Sequence, residues 1–422
     1  MTTSSGSQAT PSRVLGTADA VTVGAAAMIG AGVFAVFAPA AEEAGAWLWV
    51  ALLIAAVVAY CNATSSARLA ARHPESGGTY VYGRERLGEL WGYLAGWAFT
   101  VGKAASCAAM ALTFGAYVAP ELARPLAVAA VVALTAVNYR GLRTSAGLAR
   151  VLLAAVLAVL AAVAAVGLLG SEANPAQLAV SGHWPGFFGL LGAAGMLFFA
   201  FAGYARIATL GGEVRDPATT IPRAIGIALA GVFVVYLVVA AAALTVLGRD
   251  GLAESSAPLA DTVAAAGWPE LVPVVAAGAA LASLGALLAL ILGVSRTVAA
   301  MASDGHLPRS LAATHERFGG PHRAEAAVGA VVCLIVLVSD LRGAIGFSAF
   351  GVLVYYTITN ASALRLGPRE NRPPLLVPVV GLAGCLVLAF TLPLSSVVSG
   401  AAVIAAGAAV WALRRLVLDR RG

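Results

Sequence analysis

The stretch Met28-Ile29-Gly30-Ala31-Gly32-Val33-Phe34 interrupts a long apolar run with two glycines one residue apart, and Phe199-Ala200-Phe201-Ala202-Gly203-Tyr204-Ala205-Arg206 interrupts a second. A helix in lipid must satisfy its own backbone, so it breaks only where the freed N–H and C=O groups find another use. Either stretch alone would serve equally well for close helix packing through small residues. Paired interruptions at corresponding places in the two halves of a chain point instead to a binding site between them.

Composition places both runs in a membrane. Of 422 residues, 60% are hydrophobic and only 11% charged, and the mean hydropathy is +0.89, far outside the soluble range. The pattern predicts an all-α membrane protein of about twelve transmembrane helices. We place them at 14–41, 44–71, 90–119, 124–139, 146–170, 186–213, 223–247, 269–303, 323–340, 342–365, 375–392 and 395–418. The first span is about 28 residues long against the ~20 that cross a bilayer, which leaves room for a break. Residues 1–13, polar and rich in Ser and Thr, read as a disordered cytoplasmic N-terminal tail; the apolar stretch behind them is too long for a signal peptide.

Of the 25 arginines, all but Arg124, Arg206, Arg249 and Arg342 fall on one face of this arrangement. The positive-inside rule makes that face cytoplasmic, with both termini inside a cell membrane. The net charge of +6 thus follows from topology and gives no support to a nucleic-acid partner. Cys61, Cys107, Cys333 and Cys385 lie in apolar spans without ligand-like spacing and read as core residues. No cofactor or metal motif occurs, and nothing in the sequence fixes an oligomeric state.

The two interruptions fall in spans one and six. A displacement by five, an odd number, turns the second five-helix unit upside down relative to the first. The expected organisation is a 5+5 inverted repeat over 14–170 and 186–365, with discontinuous helices 1 and 6, followed by two C-terminal helices over 375–418.

Further motifs recur in order: Pro74-Glu75-Ser76-Gly77-Gly78-Thr79-Tyr80 with Tyr82 and Gly88; Gly96-Trp97; Glu213-Val214-Arg215-Asp216-Pro217 and Ile221-Pro222-Arg223; Ser295-Arg296 to Met301, then Asp304-Gly305-His306-Leu307-Pro308; and Tyr355-Tyr356 to Asn360. With Ile29 to Phe34 and Phe201 to Tyr204, this set resembles the amino acid-polyamine-organocation superfamily over roughly residues 14 to 370. The resemblance implies the leucine-transporter fold and the movement of amino acids or related amines.

By that resemblance the substrate carboxylate meets the amides around Gly30, Ala31 and Gly32, at the N-terminus of the continuing half-helix. Its ammonium meets carbonyls near Met28 and around Phe201, Ala202 and Gly203, with Ile29 beside them. No acidic side chain lies within either break. Phe198, Phe199 and Phe201 suit ordinary packing, while the resemblance makes Phe199 the lid over bound substrate. Ser283, Tyr355 and Asn360 are weaker candidates, equally suited to helix packing. Segments 74–82 and 304–308 are expected to form cytoplasmic elbows that close the inner vestibule.

Two basic residues are expected deep in the membrane. Lys103 is the only lysine and lies twelve residues, or roughly 18 Å, beyond Trp91. An intramembrane lysine marks function by default, and a buried lysine that exchanges between ammonium and amine can carry a proton. Family members that couple to protons often place a lysine on the fifth span; here that span has only Arg150, so Lys103 is the candidate replacement. Arg206 opposes the dipole of the half-helix it begins and so calls for a partner. That partner is Glu213 in a structural pair or inner gate, or else the substrate carboxylate.

The expected function is therefore secondary transport of an amino acid by alternating access, with proton-coupled import. An exchanger is the alternative within that class, and an ion channel a lesser one, since no ring-forming selectivity signature occurs. No paired-carboxylate, Ser/His or His-Glu-x-x-His arrangement suggests an enzyme.

Overall fold

The computed structural model describes residues 15–73, 77–141, 146–180, 184–208, 210 and 214–419. The expected tail, Pro74 to Ser76 of the first elbow, and Glu213 lie outside the described residues. The helices are α1 (Thr17–Met28), α2 (Gly32–Ala35), α3 (Phe37–Ala44), α4 (Leu48–Arg72), α5 (Thr79–Leu87), α6 (Glu89–Val118), α7 (Ala123–Tyr139), α8 (Ala146–Leu169), α9 (Gly186–Phe201), α10 (Ala205–Ala208), α11 (Pro217–Glu254), α12 (Pro258–Ala265), α13 (Val272–Ser303), α14 (His322–Val338), α15 (Leu341–Leu364), α16 (Leu376–Thr391) and α17 (Leu394–Asp419).

Among the described residues, ten segments are long and apolar enough to cross a membrane. The expected ninth and eleventh spans correspond to α14 and α16, of 17 and 16 residues. Each of the twelve expected spans thus has its helix, in a multi-pass, all-α membrane protein. The seventh is longer than the hydropathy suggested: α11 begins at Pro217, whose missing N–H is free at a helix start, and bends at Gly248, where φ is +65°.

Span one breaks as expected. Ile29 leaves the helix with ψ of +58°, and the outer half starts at Gly32. Val36, at φ −79° and ψ −22°, carries α2 into α3 with little interruption. Gly45, at φ +51°, then turns the chain into the next span. Span six is interrupted more gently than expected. Between α9 and α10 the chain stays wound as a 3₁₀ turn over Ala202–Tyr204, so hydrogen bonding shifts register without opening a gap. Such a mid-helix 3₁₀ stretch is a common hinge.

Lipid supplies no hydrophobic drive for helices to associate, so close packing of small residues does that work. Gly102 on α6 and Gly351 on α15 face each other: a Cβ on Gly351 would stand 2.9 Å from the Gly102 Cα. Below the breaks, on the arginine-rich face, Arg215 N donates to Leu15 O at 2.9 Å, and Arg150 pairs with Asp19 at 2.7 Å. These contacts tie the start of span one to the chain beyond span six and to α8.

Candidate functional site

The two interruptions lie against each other, and each helix carries a glycine where the other's backbone approaches. A Cβ on Gly203 would fall 2.2 Å from Ala27 O and 2.6 Å from Met28 N; one on Gly32 would fall 2.9 Å from the Ala200 Cα. These contacts are reciprocal, so both glycines are required for close approach at the break itself. Gly30 turns toward α13 instead, where a Cβ would meet the Ala286 Cβ at 3.1 Å and Ala282 O at 3.9 Å.

At that junction sits a residue the sequence reading missed. Tyr236 of α11 is fully buried, and its hydroxyl lies 2.7 Å from Met28 O and 3.0 Å from Ala200 O. Those are carbonyls at the end of α1 and in the last turn of α9. One phenol proton is thus shared between two helices that both run out of intrahelical donors. The signal was present: Tyr236 is the one polar side chain in the run Phe233-Val234-Val235-Tyr236-Leu237-Val238-Val239, and a buried tyrosine hydroxyl needs a partner.

The outer half-helix is fixed from its far side. Tyr117 at the end of α6 donates to Phe34 O at 2.8 Å and accepts from Leu259 N at 3.1 Å. The first amides of a helix have no intrahelical acceptor. Gly30, Ala31 and Gly32 therefore present donors on one side of the junction, while Met28 and Ala200 present acceptors on the other.

Among the expected aromatic candidates, Phe198 packs edge-on against Tyr356 at 5.9 Å and Phe201 against Tyr236 at 5.1 Å. Phe199 is the one of the three with residual exposure, 9%. Ser283 is fully buried, and its hydroxyl has no partner among the described residues. It lies on α13 between Ala282 and Ala286, the residues that approach Gly30.

Tyr355 and Asn360 bind neighbouring elements. The Tyr355 hydroxyl accepts from Thr79 N at 3.0 Å and docks α5. Asn360 joins a buried cluster in which Ser65 donates to its Oδ1 at 2.7 Å and its Nδ2 donates to Asn62 Oδ1 at 2.6 Å. The cysteines are all free, with Cys385 directed at Asn62.

Lys103 lies at the midpoint of the 30-residue α6 and is 8% exposed. No hydrogen bond or ion pair to it occurs among the described residues, and Cys107, one turn on, is the titratable group beside it. Arg206, expected deep in the membrane, has an exposed side chain on the four-residue α10. The proposed pair with Glu213 lies outside the described residues. Glu325, at the start of α14, is 1% exposed, because the loop before α14 folds over the helix end.

The two faces of the protein are closed by different chemistry. On one, Arg342 pairs with Glu42, joining α15 to the end of α3, and also donates to Ala253 O. A cleft of about 540 Å³ lined by Glu42, Glu43, Arg249, Asp250, Glu254 and Arg342 opens beside them. On the arginine-rich face Tyr80 donates to Asp304 at 2.6 Å, and Arg84 reaches the same oxygen at 2.8 Å. That donation spends the phenol proton, so His306 Nδ1, 2.7 Å away, is the donor to Tyr80. Burial holds the His306 imidazole below its ordinary value, against the opposing pull of Glu89 and Asp304. Arg86 grips Glu370 through two bonds, at 2.7 and 3.1 Å, and Arg72 adds a third at 3.1 Å. Arg86 foremost holds that carboxyl down to about 2.

Residues 15–414 match the family model for the amino acid permeases. The chain is 62% identical over 410 residues to an uncharacterized transporter of Mycobacterium tuberculosis, covering 97% of this chain and 92% of that one. It is 24% identical over 414 residues to the branched-chain amino acid permease BcaP of Bacillus subtilis, covering 90% and 88%. It is 28% identical over 387 residues to cationic amino acid transporter 4 of Homo sapiens, covering 86% of this chain and 61% of the longer human protein. Broken helices locked at complementary glycines, in a bundle of this order and length, thus have a family: the chain is a transporter, not an enzyme, and belongs to the amino acid permease family of the amino acid-polyamine-organocation superfamily.

Proposed function

We propose that this protein imports a neutral amino acid across the cell membrane by alternating access, coupled to a proton. The arginine-rich face is cytoplasmic, with both termini inside, and the repeat units are 14–170 and 186–365, followed by 375–418. The observation that carries the reading is the junction of the breaks, where carbonyls held by Tyr236 lie beside amides at the start of the outer half-helix, which lack intrahelical acceptors. An amino acid's backbone needs both kinds of group at once, and a metal or phosphate would need only one.

The substrate carboxylate takes the amides of Gly30, Ala31 and Gly32, and the ammonium takes the carbonyls of Met28 and the segment Phe201-Ala202-Gly203. Ile29, Phe199 and the alanines of α13 leave the side chain an apolar environment. The absence of an acidic side chain in either break disfavours a fixed positive charge there. A relative named as a branched-chain amino acid permease agrees with a neutral substrate; one named as a cationic amino acid transporter is the competing indication. Lys103 is the proton carrier, since it is buried at the middle of α6 with no ion-pair partner among the described residues. Arg206 begins the inner half-helix and serves as a gate residue, or contacts the substrate carboxylate as it leaves.

The test is uptake of a panel of radiolabelled amino acids into proteoliposomes, with and without an imposed pH gradient, for wild type and Lys103→Ala. Proton-coupled import gives accumulation of neutral amino acids that the gradient drives, and loss of that drive in Lys103→Ala. Uptake that requires an internal amino acid and ignores the gradient would make the protein an exchanger.

A further inference from the structure

Glu325 belongs to none of the machinery above. It occupies the first turn of α14, is 1% exposed, and neither of its carboxylate oxygens has a hydrogen-bond partner among the described residues. Two further polar atoms near it are buried and unpartnered in the same way: His322 Nδ1 and, on α7, Thr135 Oγ1. Positions 322, 325 and 329 share one face of α14 by helical spacing, and that face meets α7. The His322 ring lies 5.9 Å from that of Tyr139, and a Cβ on Gly329 would come within 2.7 Å of Thr135 Oγ1. Unpartnered polar atoms therefore form a seam between α7 and α14, running roughly 10 Å inward from the arginine-rich face.

The loop before α14 closes over this seam. Gly320 O accepts from both His315 N and His322 N at 2.9 Å, and a Cβ on Gly320 would stand 3.4 Å from Glu325 Oε1. The charged and titratable groups toward this end of the packed elements include Arg296 of α13, Tyr139 of α7, Arg309, His315, Glu316 and Arg317 of the loop, and His322 and Arg323 of α14 itself; Lys103 and Cys107 lie further along α6. Of these the Arg296 charge acts on Glu325, without a hydrogen bond to it. A carboxylate in a helix's first turn often just offsets the dipole, but that role favours an exposed or capping carboxylate, and Glu325 is neither.

We propose that Glu325 is a proton-binding site, loaded and emptied through this seam. An ionised carboxylate without a donor is costly in the interior, and a bound proton removes that cost. Buried polar atoms without protein partners are satisfied by ordered water, and water chained along the seam delivers the proton as hydronium. The carboxylate takes the proton, and a water molecule is left behind. The link to transport rests on the proton-coupled reading above, but the protonation of Glu325 does not.

Infrared difference spectra of the reconstituted protein between about pH 5 and about pH 9 test the site. A protonated-carboxyl band is expected in wild type and in Lys103→Ala, and is lost in Glu325→Gln. Identical spectra in wild type and Glu325→Gln would overturn the proposal. Should Glu325→Gln not fold, wild type decides: an apolar carbodiimide, which attacks the protonated acid, is expected to label Glu325 several-fold more at the acidic pH by peptide mass mapping. Equal or no labelling at both pH values would overturn it. A wild-type protein with the band whose uptake ignores a pH gradient would remove proton-coupled import and leave the site intact.

Discussion

The hydroxyl of Tyr236 donates to the carbonyl of Met28 at 2.7 Å, at the point where the first half-helix ends. It thereby holds in place the acceptor that an incoming ammonium would use. Tyr236→Phe leaves the Met28 and Ala200 carbonyls buried without that donor, a loss of about 1 to 3 kcal/mol in the empty protein. Substrate binding then restores part of what was lost. Thermal unfolding should show a less stable apo protein with a larger shift on adding substrate, and KM should fall by roughly fivefold. An unchanged KM would separate Tyr236 from the ammonium position.

Gly30, Gly32 and Gly203 should tolerate alanine in a fixed order. At Gly203 the new methyl meets the Ala27 backbone at 2.2 Å, which cannot yield; at Gly32 it meets Ala200 at 2.9 Å; at Gly30 it meets a methyl at 3.1 Å. Overpacking of this kind costs about 1 to 3 kcal/mol. Initial uptake rates should therefore fall least for Gly30→Ala, further for Gly32→Ala, and to background for Gly203→Ala. Equal rates in all three would mean that the junction separates during transport.

The Glu42–Arg342 pair bridges the end of the first span and the start of the tenth, and both side chains are partly exposed. An exposed pair contributes about 0.2 to 1 kcal/mol. Arg342→Glu should shift the protein toward the state open on that face, read as faster labelling of a cysteine placed at Ala253. The change is bounded at roughly fivefold by that energy. Exchanging the two charges, Glu42→Arg with Arg342→Glu, should restore the wild-type rate.

The Tyr80, Asp304 and His306 contact should depend on pH. The His306 imidazole sits below its ordinary value in the folded protein, chiefly through burial, so the unfolded chain binds more protons as the pH falls. The stability it contributes is present above about pH 6.5 and is lost as the pH falls below that. Amide exchange of α5 should therefore quicken below that pH in wild type, and stay level in His306→Gln. The Glu370 clamp titrates near 2 and should leave exchange unaffected over the same range.

The sequence alone determined the membrane class, the order of the helices and the two places where a helix could break, because lipid imposes helix length and apolarity on every crossing segment. The glycine pair at 30 and 32 read as an interruption because the span is longer than a crossing needs and a second interruption occurs at the corresponding place in the other half. Whether a break opens or merely changes register was decided by packing: Gly203 lies against the Ala27 backbone, and span six winds through it as a 3₁₀ turn. Tertiary structure also set the burial of charge. Arg206 is exposed and Glu325 is enclosed, although their positions along their spans suggested the reverse. Tyr236, 208 residues from Met28, could be read as a buried hydroxyl in need of a partner, but not as the donor to this carbonyl. Periodicity and hydropathy report how a segment meets lipid; which side chain reaches which backbone atom depends on neighbours that only folding brings together.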